Sequence, residues 1–374
     1  MNLIQTSVLA DISQVAYAYR LLTSRDQRTQ KLAYDSMKEV AEKRLKKELS
    51  MEEIADFYNG CKSPDVPSEA NDIPSCWTRL RGATQRLKSK MIIKWFVDAH
   101  KKIYNLQINK AYATRFGVEF QLRDATRSFH KKRMLEKKEQ GRVYTVTSRN
   151  QVSNHFYRNG NFTRITEWNF IHRARLNLVP LNGGTKRHFL KDQSCRKCRY
   201  PCETLFHVLN RCEPNFSKIT ERHDAIIKRL MGGFKKKRTQ EILLDQIIPD
   251  TASTLRPDIT IIDKENKEVI IIDVTVPFEN FPKAFINARE RKMEKYLPIK
   301  QELEDQGYSV FLDAFIIGSL GGYDNQNYKS ISALGISKRY AILMKKLMVT
   351  ETIKWSREIY MDHVCCKRKN APPQ

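Results

Sequence analysis

The stretch Arg256–Pro277, RPDITIIDKENKEVIIIDVTVP, decides how the rest of the chain is read. It holds two runs rich in β-branched residues, separated at 263–267 by DKENK, a composition suited to a hairpin turn. Each run carries an aspartate among isoleucines and valines, Asp258 in the first and Asp273 in the second, where an unpaired buried charge is costly. On two antiparallel strands joined by a short turn, these carboxylates come side by side. Like charges that close repel, and a divalent cation between them removes the repulsion. Carboxylate oxygens suit magnesium or manganese, which keep water ligands and can hand one to a phosphodiester. The competing reading is a pair of strand-end aspartates that only cap turns.

Downstream the pattern is helix (about 282–306, ending at Gly307), a third strand in YSVFLDAFIIGSLG, and one or two closing helices in SKRYAILMKKLMVTETIKWSREIYMDHV. Strands joined through a crossover helix indicate an α/β sandwich. In the helix, NARERKMEKYLPIKQEL (287–303) places Lys292, Lys295 and Tyr296 at i, i+3 and i+4, on one face, with Glu290 on another part of the surface. Packed on the hairpin, that face presents its lysines to the carboxylates; a solvated lysine face is the alternative.

Upstream lies CRKCRYPCETLFHVLNRC (195–212). Cys195 and Cys198 can grip one metal from a tight turn, and His207 and Cys212 can close a tetrahedron from a short helix. Zinc favours such sulfur and nitrogen donors, and four protein ligands leave no open position, so the site is read as one structural zinc. Cys202, after Tyr200-Pro201, is the spare thiol; a set of ordinary buried cysteines is the competing reading.

Around these motifs the chain of 374 residues carries a formal net charge of +25, with 15 Tyr, 17 Phe and 4 Trp interleaved among its basic residues. That balance speaks of partners rather than fold, and an anionic polymer with bases to stack on is the first expectation. No run approaches the length of a membrane-spanning helix. The N-terminus makes a poor signal peptide, and the cysteines do not form a disulfide framework. A KKKR run at 235–238 has the composition of a nuclear localisation patch, which predicts a nuclear protein.

The organisation expected is α+β and multidomain. It comprises a helical segment over 1–58, a proline-interrupted linker (59–76), a mostly helical region over 72–190, the cysteine cluster with its following helix over 191–240, and the α/β domain over 250–374. Within the helical region, WTRLRGATQRLKSKMIIKWFVDAHKKIYNLQI (77–108) reads as helix and GRVYTVTSRNQ (141–151) as strand.

The order of motifs resembles the C-terminal region of site-specific non-LTR retrotransposon proteins of the restriction-like-endonuclease class, the kind that inserts into ribosomal RNA genes. Pro257-Asp258 and Asp273 match the PD-(D/E)xK core, with Thr275 where that core has lysine and KMEKY supplying the lysine from the helix instead. HRARLNLVPLNGGTKR (172–187) is similar to the family's linker, ERHD (221–224) to its Arg-His element, WSREIYMDHV to its closing helix, and DIPSCWTRLRGATQRL (72–87) to its thumb-side helices.

The resemblance implies a magnesium-dependent endonuclease that nicks target DNA to prime reverse transcription. It implies that Asp258 and Asp273 bind the metal and that Lys292, with Lys295 as neighbour or substitute, orients water or stabilises charge. Tyr296 would support the lysine or touch the phosphate, and Arg256 would hold the scissile strand. Arg222, His223 and the run Lys235, Lys236, Lys237 and Arg238 would position the target duplex, or the element's RNA, through phosphates.

The chain has no Asp-Asp pair for a two-metal polymerase, so no polymerase activity is assigned. The expectation is a truncated, decayed or co-opted form. Two other classes stay open: a nucleic-acid-binding protein with a dead nuclease fold, and a zinc-stabilised protein-interaction module.

Overall fold

The structure is a computed structural model that describes residues 4–60, 75–98, 100, 102–157, 160–184 and 192–365. The fold is mixed α/β, mostly helical with two small sheets, and divides into compact units at Met1–Arg133 and Met134–Gln374.

In the first unit, α1 (Thr6–Leu22), α2 (Gln27–Leu45), α3 (Met51–Tyr58) and α4 (Cys76–Lys88) pack with the antiparallel strands β1 (Ile93–Asp98), β2 (Ile103–Ile108) and β3 (Ala111–Tyr112). Helix α5 (Val118–Leu135) lends Val118, Leu122 and Ala125 to their core. Side chains that satisfy free backbone amides set the helix starts: Asp26 caps α2, while Ser50 with Glu53 forms a capping box at α3. At the centre is Trp95, fully buried, its backbone clasped by Asn59 (2.7 Å on both sides) and its indole N–H donated to Thr84.

Two readings are corrected here. The stretch 77–108 is helix only as far as Lys88. Beyond it, Ile103–Ile108 buries every second residue, the strand period that a helical reading of its apolar content overlooked. The helices of 1–58 also share one core with residues 76–125, so apolar packing runs across the proline-interrupted stretch instead of breaking there. Residues 61–74 of that stretch lie outside the described residues.

The second unit begins with α6 (Lys138–Thr147), a helix where a strand was expected. Val143, Val146 and Thr147 are its buried face, at helical spacing; the β-branched content that suggested a strand gives way to packing. Helices α7 (Ile165–Arg175), α8 (Leu205–Asn210) and α9 (Phe216–Met231) follow. Then comes a sheet of order β4-β5-β6-β7: β4 (Gln240–Leu244), β5 (Ile259–Asp263), β6 (Glu268–Thr275) and β7 (Ser309–Ile316). The first three strands are antiparallel. β7 joins parallel to β6 through the crossover helix α10 (Phe281–Asp305).

β4 is an edge strand that lies before the α/β domain expected from residue 250. The hairpin, the crossover helix and β7 stand where the sequence placed them. Helices α11 (Tyr328–Ala333) and α12 (Lys338–Cys365) close the unit.

The sheet is buried on both faces, which is why β6 reads as a continuous apolar run. Val269 and Ile271 pack with Tyr296, Ile299 and Leu303 of α10. Ile272 and Val274 share the opposite core with Ile226 and Leu230 of α9 and Met348 and Ile353 of α12. Alternation along one strand therefore aims Asp273 at the α10 side and seats its neighbours against α9.

Candidate carboxylate site and metal cluster

The register Ile259↔Ile272 puts Asp258, the residue before β5, across from Asp273 of β6. Asp273 is 2% exposed. Lys292, about three turns into α10, brings its Nζ to 2.6 Å from Asp273 Oδ2. Asp258 Oδ2 accepts from the Val274 amide (2.6 Å) and faces His223 Nε2 at 3.1 Å. The same His223 nitrogen lies 3.1 Å from the Val274 carbonyl, and its Nδ1 lies 3.1 Å from Asp224. Four segments thus converge at one end of the hairpin: α9, the loop before β5, β6 and α10.

The electrostatics follow from this geometry. Burial, then the neighbouring Asp258, push the Asp273 carboxyl above its ordinary range, and Lys292 opposes them. Burial alone would pull His223 down, but its hydrogen bond to Asp258 and that residue's charge, with Asp224 and Val274 assisting, carry it up to about 9. Each carboxylate thus faces a basic side chain, Lys292 on Asp273 and His223 on Asp258. The carboxylates of Asp258 and Asp273 are oxygen donors of the kind a hard divalent cation takes.

The other sequence-named residues separate into those at this site and those away from it. Tyr296 is buried, donates its hydroxyl to the Arg256 carbonyl (3.0 Å) and receives Lys295 Nζ (2.9 Å). Lys292 therefore reaches the carboxylate, while Lys295 stays exposed over the Tyr296 ring. The Arg256, Lys235, Lys236, Lys237 and Arg238 side chains are exposed, as phosphate-binding groups must be.

Arg222 does not fit its expected role. It is 1% exposed and donates to the Leu209 carbonyl (2.9 Å) and Ser356 Oγ (3.0 Å), tying α8, α9 and α12 together inside the unit. Its position on the apolar face of α9 carries it inward. Its neighbour His223 was read as a nucleic-acid contact and instead meets Asp258. Beside Lys292 opens a cleft of about 870 Å³ lined by Arg211, Lys283 and Arg291 together with Phe206 and Phe281.

The cysteine cluster is a second centre. Cys195, Cys198, His207 and Cys212 hold their donor atoms within 4.8 Å of one another. Cys212 Sγ lies 3.8 Å from Cys195 Sγ and 3.9 Å from Cys198 Sγ, and Cys198 Sγ lies 3.2 Å from His207 Nε2. A tetrahedral zinc with bonds of about 2.3 Å to sulfur requires sulfur–sulfur edges of roughly 3.8 Å, so the donor set fits. The His207 ring is held by stacking on Tyr200 at 4.6 Å. Burial lowers the His207 pKa, favouring the neutral ring a metal needs. Cys202 is outside the set and packs against Gly183, where a Cβ would come 2.6 Å from its sulfur.

One feature had no signal in the local sequence. His363, on α12 and fully buried, packs against this cluster from 168 positions away, with Glu203 2.9 Å from its Nε2. Glu203 also receives the Arg196 guanidinium and the backbone amides of Arg196 and Asn182. Burial works against its charge, yet His363 and Arg196 hold the carboxyl well below the usual carboxylate range.

No protein-family model matches the chain. Over 173 residues it is 27% identical to the Retrovirus-related Pol polyprotein from type-1 retrotransposable element R2 of Popillia japonica, covering 44% of this chain and 34% of that protein. Over 176 residues it is 22% identical to the Retrovirus-related Pol polyprotein from type-2 retrotransposable element R2DM of Drosophila melanogaster, covering 45% and 16%. The similarity is distant homology to R2 non-LTR retrotransposon Pol polyproteins and supports a retrotransposon-derived chain. The match spans about a third or less of each relative's length.

Proposed function

We propose that the second unit is a metal-dependent DNA endonuclease module that nicks target DNA for target-primed retrotransposition. The observation that carries this reading is the convergence of Asp258, Asp273, His223 and Lys292 at one end of the hairpin. A buried carboxylate pushed above its ordinary range, beside a second carboxylate and a lysine, is the kind of perturbed group that clusters at functional sites. Distant homology to R2 Pol polyproteins points the same way.

Asp258 and Asp273 would hold magnesium or manganese. Such a cation lowers the pKa of bound water and offsets charge on the phosphoryl oxygens. Lys292, whose Nζ lies 2.6 Å from Asp273 Oδ2, would orient the attacking water or offset the charge that develops on the phosphoryl group. Lys295 and Tyr296 fix that part of α10 against the loop at Arg256, and so position Lys292 rather than replace it. The cleft with Arg211, Lys283 and Arg291, the exposed run at 235–238 and Arg256 give the duplex a path of positive charge. The cysteine cluster supplies a structural zinc, and a nuclear location follows from a DNA target.

The test is nicking of supercoiled plasmid in magnesium or manganese by the wild type and by Asp258→Ala and Asp273→Ala. Nicking by the wild type and its loss in both variants supports the reading; equal nicking by all three ends it. A wild type that binds DNA with a steep salt dependence and nicks in neither cation is instead a binding protein on an inactive nuclease fold.

A further inference from the structure

Helix α12 ends at the metal cluster, and His363 makes the junction. Its Nε2 lies 2.9 Å from Glu203 Oε1 and 3.7 Å from Cys195 Sγ. Its Nδ1 lies 3.1 Å from Asn215 Nδ2 and 3.8 Å from Cys212 Sγ. The Asn215 amide has two hydrogens. One goes to the Val208 carbonyl at 3.0 Å, which leaves the second for His363 Nδ1. With Nδ1 accepting, Nε2 carries the proton and donates it to Glu203. Both nitrogens are then engaged, while the ring covers the inner side of the Cys195–Cys212 sulfur pair. Among the described residues, Cys195, Glu203 and His363 also lie close enough to form a second donor set, so two roles compete for this ring: ligand and brace.

We infer that His363 is a positioning residue of the zinc cluster, a brace that locks the end of α12 to the metal through Glu203 and Asn215. The inference rests on the zinc reading of the four-residue cluster and goes beyond it. It couples metal occupancy to the long closing helix of the second unit, which the short spacing of the four donors alone does not require. Glu203 transmits the lock, because it also gathers Arg196 and the Asn182 amide around the first two cysteines. About two turns back along α12, Ser356 meets the buried Arg222 of α9, the helix that carries His223 to Asp258. Helix α12 therefore packs on both the cluster and the helix that bears His223.

The experiment uses the full chain loaded with zinc. Metal content of the wild type comes first; a protein that purifies and refolds without zinc overturns the zinc reading itself. Given a one-zinc wild type, His363→Ala is expected to release zinc to a chromogenic chelator about 10- to 100-fold faster, the usual cost of losing an outer partner of a metal ligand. His363→Gln, which keeps a donor for Glu203, is expected to recover part of the loss and serves if the alanine variant does not fold.

Removing zinc from the wild type is expected to strip hydrogen-exchange protection from the last turns of α12. In cobalt-substituted protein the ligand-field spectrum of His363→Ala is expected to remain that of three sulfurs and one nitrogen. A release rate equal to wild type, with α12 protection unchanged on zinc removal, overturns the brace. A changed cobalt spectrum also overturns it, by making His363 a ligand.

Discussion

The cysteine cluster and the carboxylate pair are both half-hidden polar centres in one compact unit, yet they are built in opposite ways. The cluster takes four donors from eighteen consecutive residues, and a short turn and one helical turn bring them together. The carboxylate site draws on α9, the loop before β5, β6 and α10, and sheet register and helix packing bring its groups together. A locally built site depends on its ligand for its fold. A site assembled by tertiary packing inherits its fold from the core, and spends stability on burying charge.

The largest effect is expected on the local side. Cys195→Ser, or chelation, should unfold residues 192–204 while α8, held in the core by Leu205, Val208 and Leu209, and the sheet persist. Zinc contributes roughly 10–16 kcal/mol of binding free energy in isolated finger peptides, and that energy is their folding energy. Hydrogen exchange resolved by segment checks this, and full protection of 192–204 after chelation would break the comparison. Asp273→Asn should do the reverse. It removes a carboxylate that burial and Asp258 already disfavour, so melting should hold or rise while nicking falls below detection.

Within the assembled site, Lys292→Ala should lower nicking about 10²- to 10³-fold, the scale of losing one donor to developing charge. Lys295→Ala should cost about tenfold or less, because its amine meets the Tyr296 hydroxyl and not a carboxylate. Equal losses would return the catalytic role to either lysine, as the sequence had left it.

Arg222→Met tests the other correction. If the guanidinium serves the interior, the variant should lose about 2–4 kcal/mol of stability through unpaired partners on Leu209 and Ser356, with DNA affinity unchanged after allowance for folding. Denaturant melts and binding titrations separate the two.

The smallest effect concerns pH. Burial, reinforced by Lys346 and Arg175 and opposed by the Val152 carbonyl, holds His155 below its ordinary pKa. A depressed histidine pKa gives stability that is complete above the unfolded value and is lost as pH falls through it and on through the folded value. Melting between about pH 7.5 and 5.5 should therefore fall less in His155→Gln than in the wild type.

How much of this was legible depended on sequence distance. The hairpin could be read because its turn and both strands lie within twenty-two residues, and DKENK has the composition of a turn. The four-donor cluster could be read from residue spacing. The helix face carrying Lys292, Lys295 and Tyr296 followed from helical periodicity, but periodicity could not choose between the lysines; only the seat of α10 on β6 does. β1 and β2 were mistaken for helix because a short apolar run does not declare its period, and α6 was mistaken for a strand because Val143, Thr145 and Val146 favour strand in isolation.

What the sequence determined by itself is the set of local units: capped helices, a two-aspartate hairpin, a four-donor cluster and a strongly basic surface. Each is fixed by interactions across a few positions, where chain connectivity makes the encounter nearly certain. The tertiary structure decided the partners. It turned Arg222 inward, set His223 on Asp258 and Lys292 on Asp273, and carried His363 to Glu203 from the far end of the chain. Those contacts close large loops and exist because two apolar faces of one sheet had to be covered by helices that happen to carry these side chains, a constraint that no short window of sequence contains.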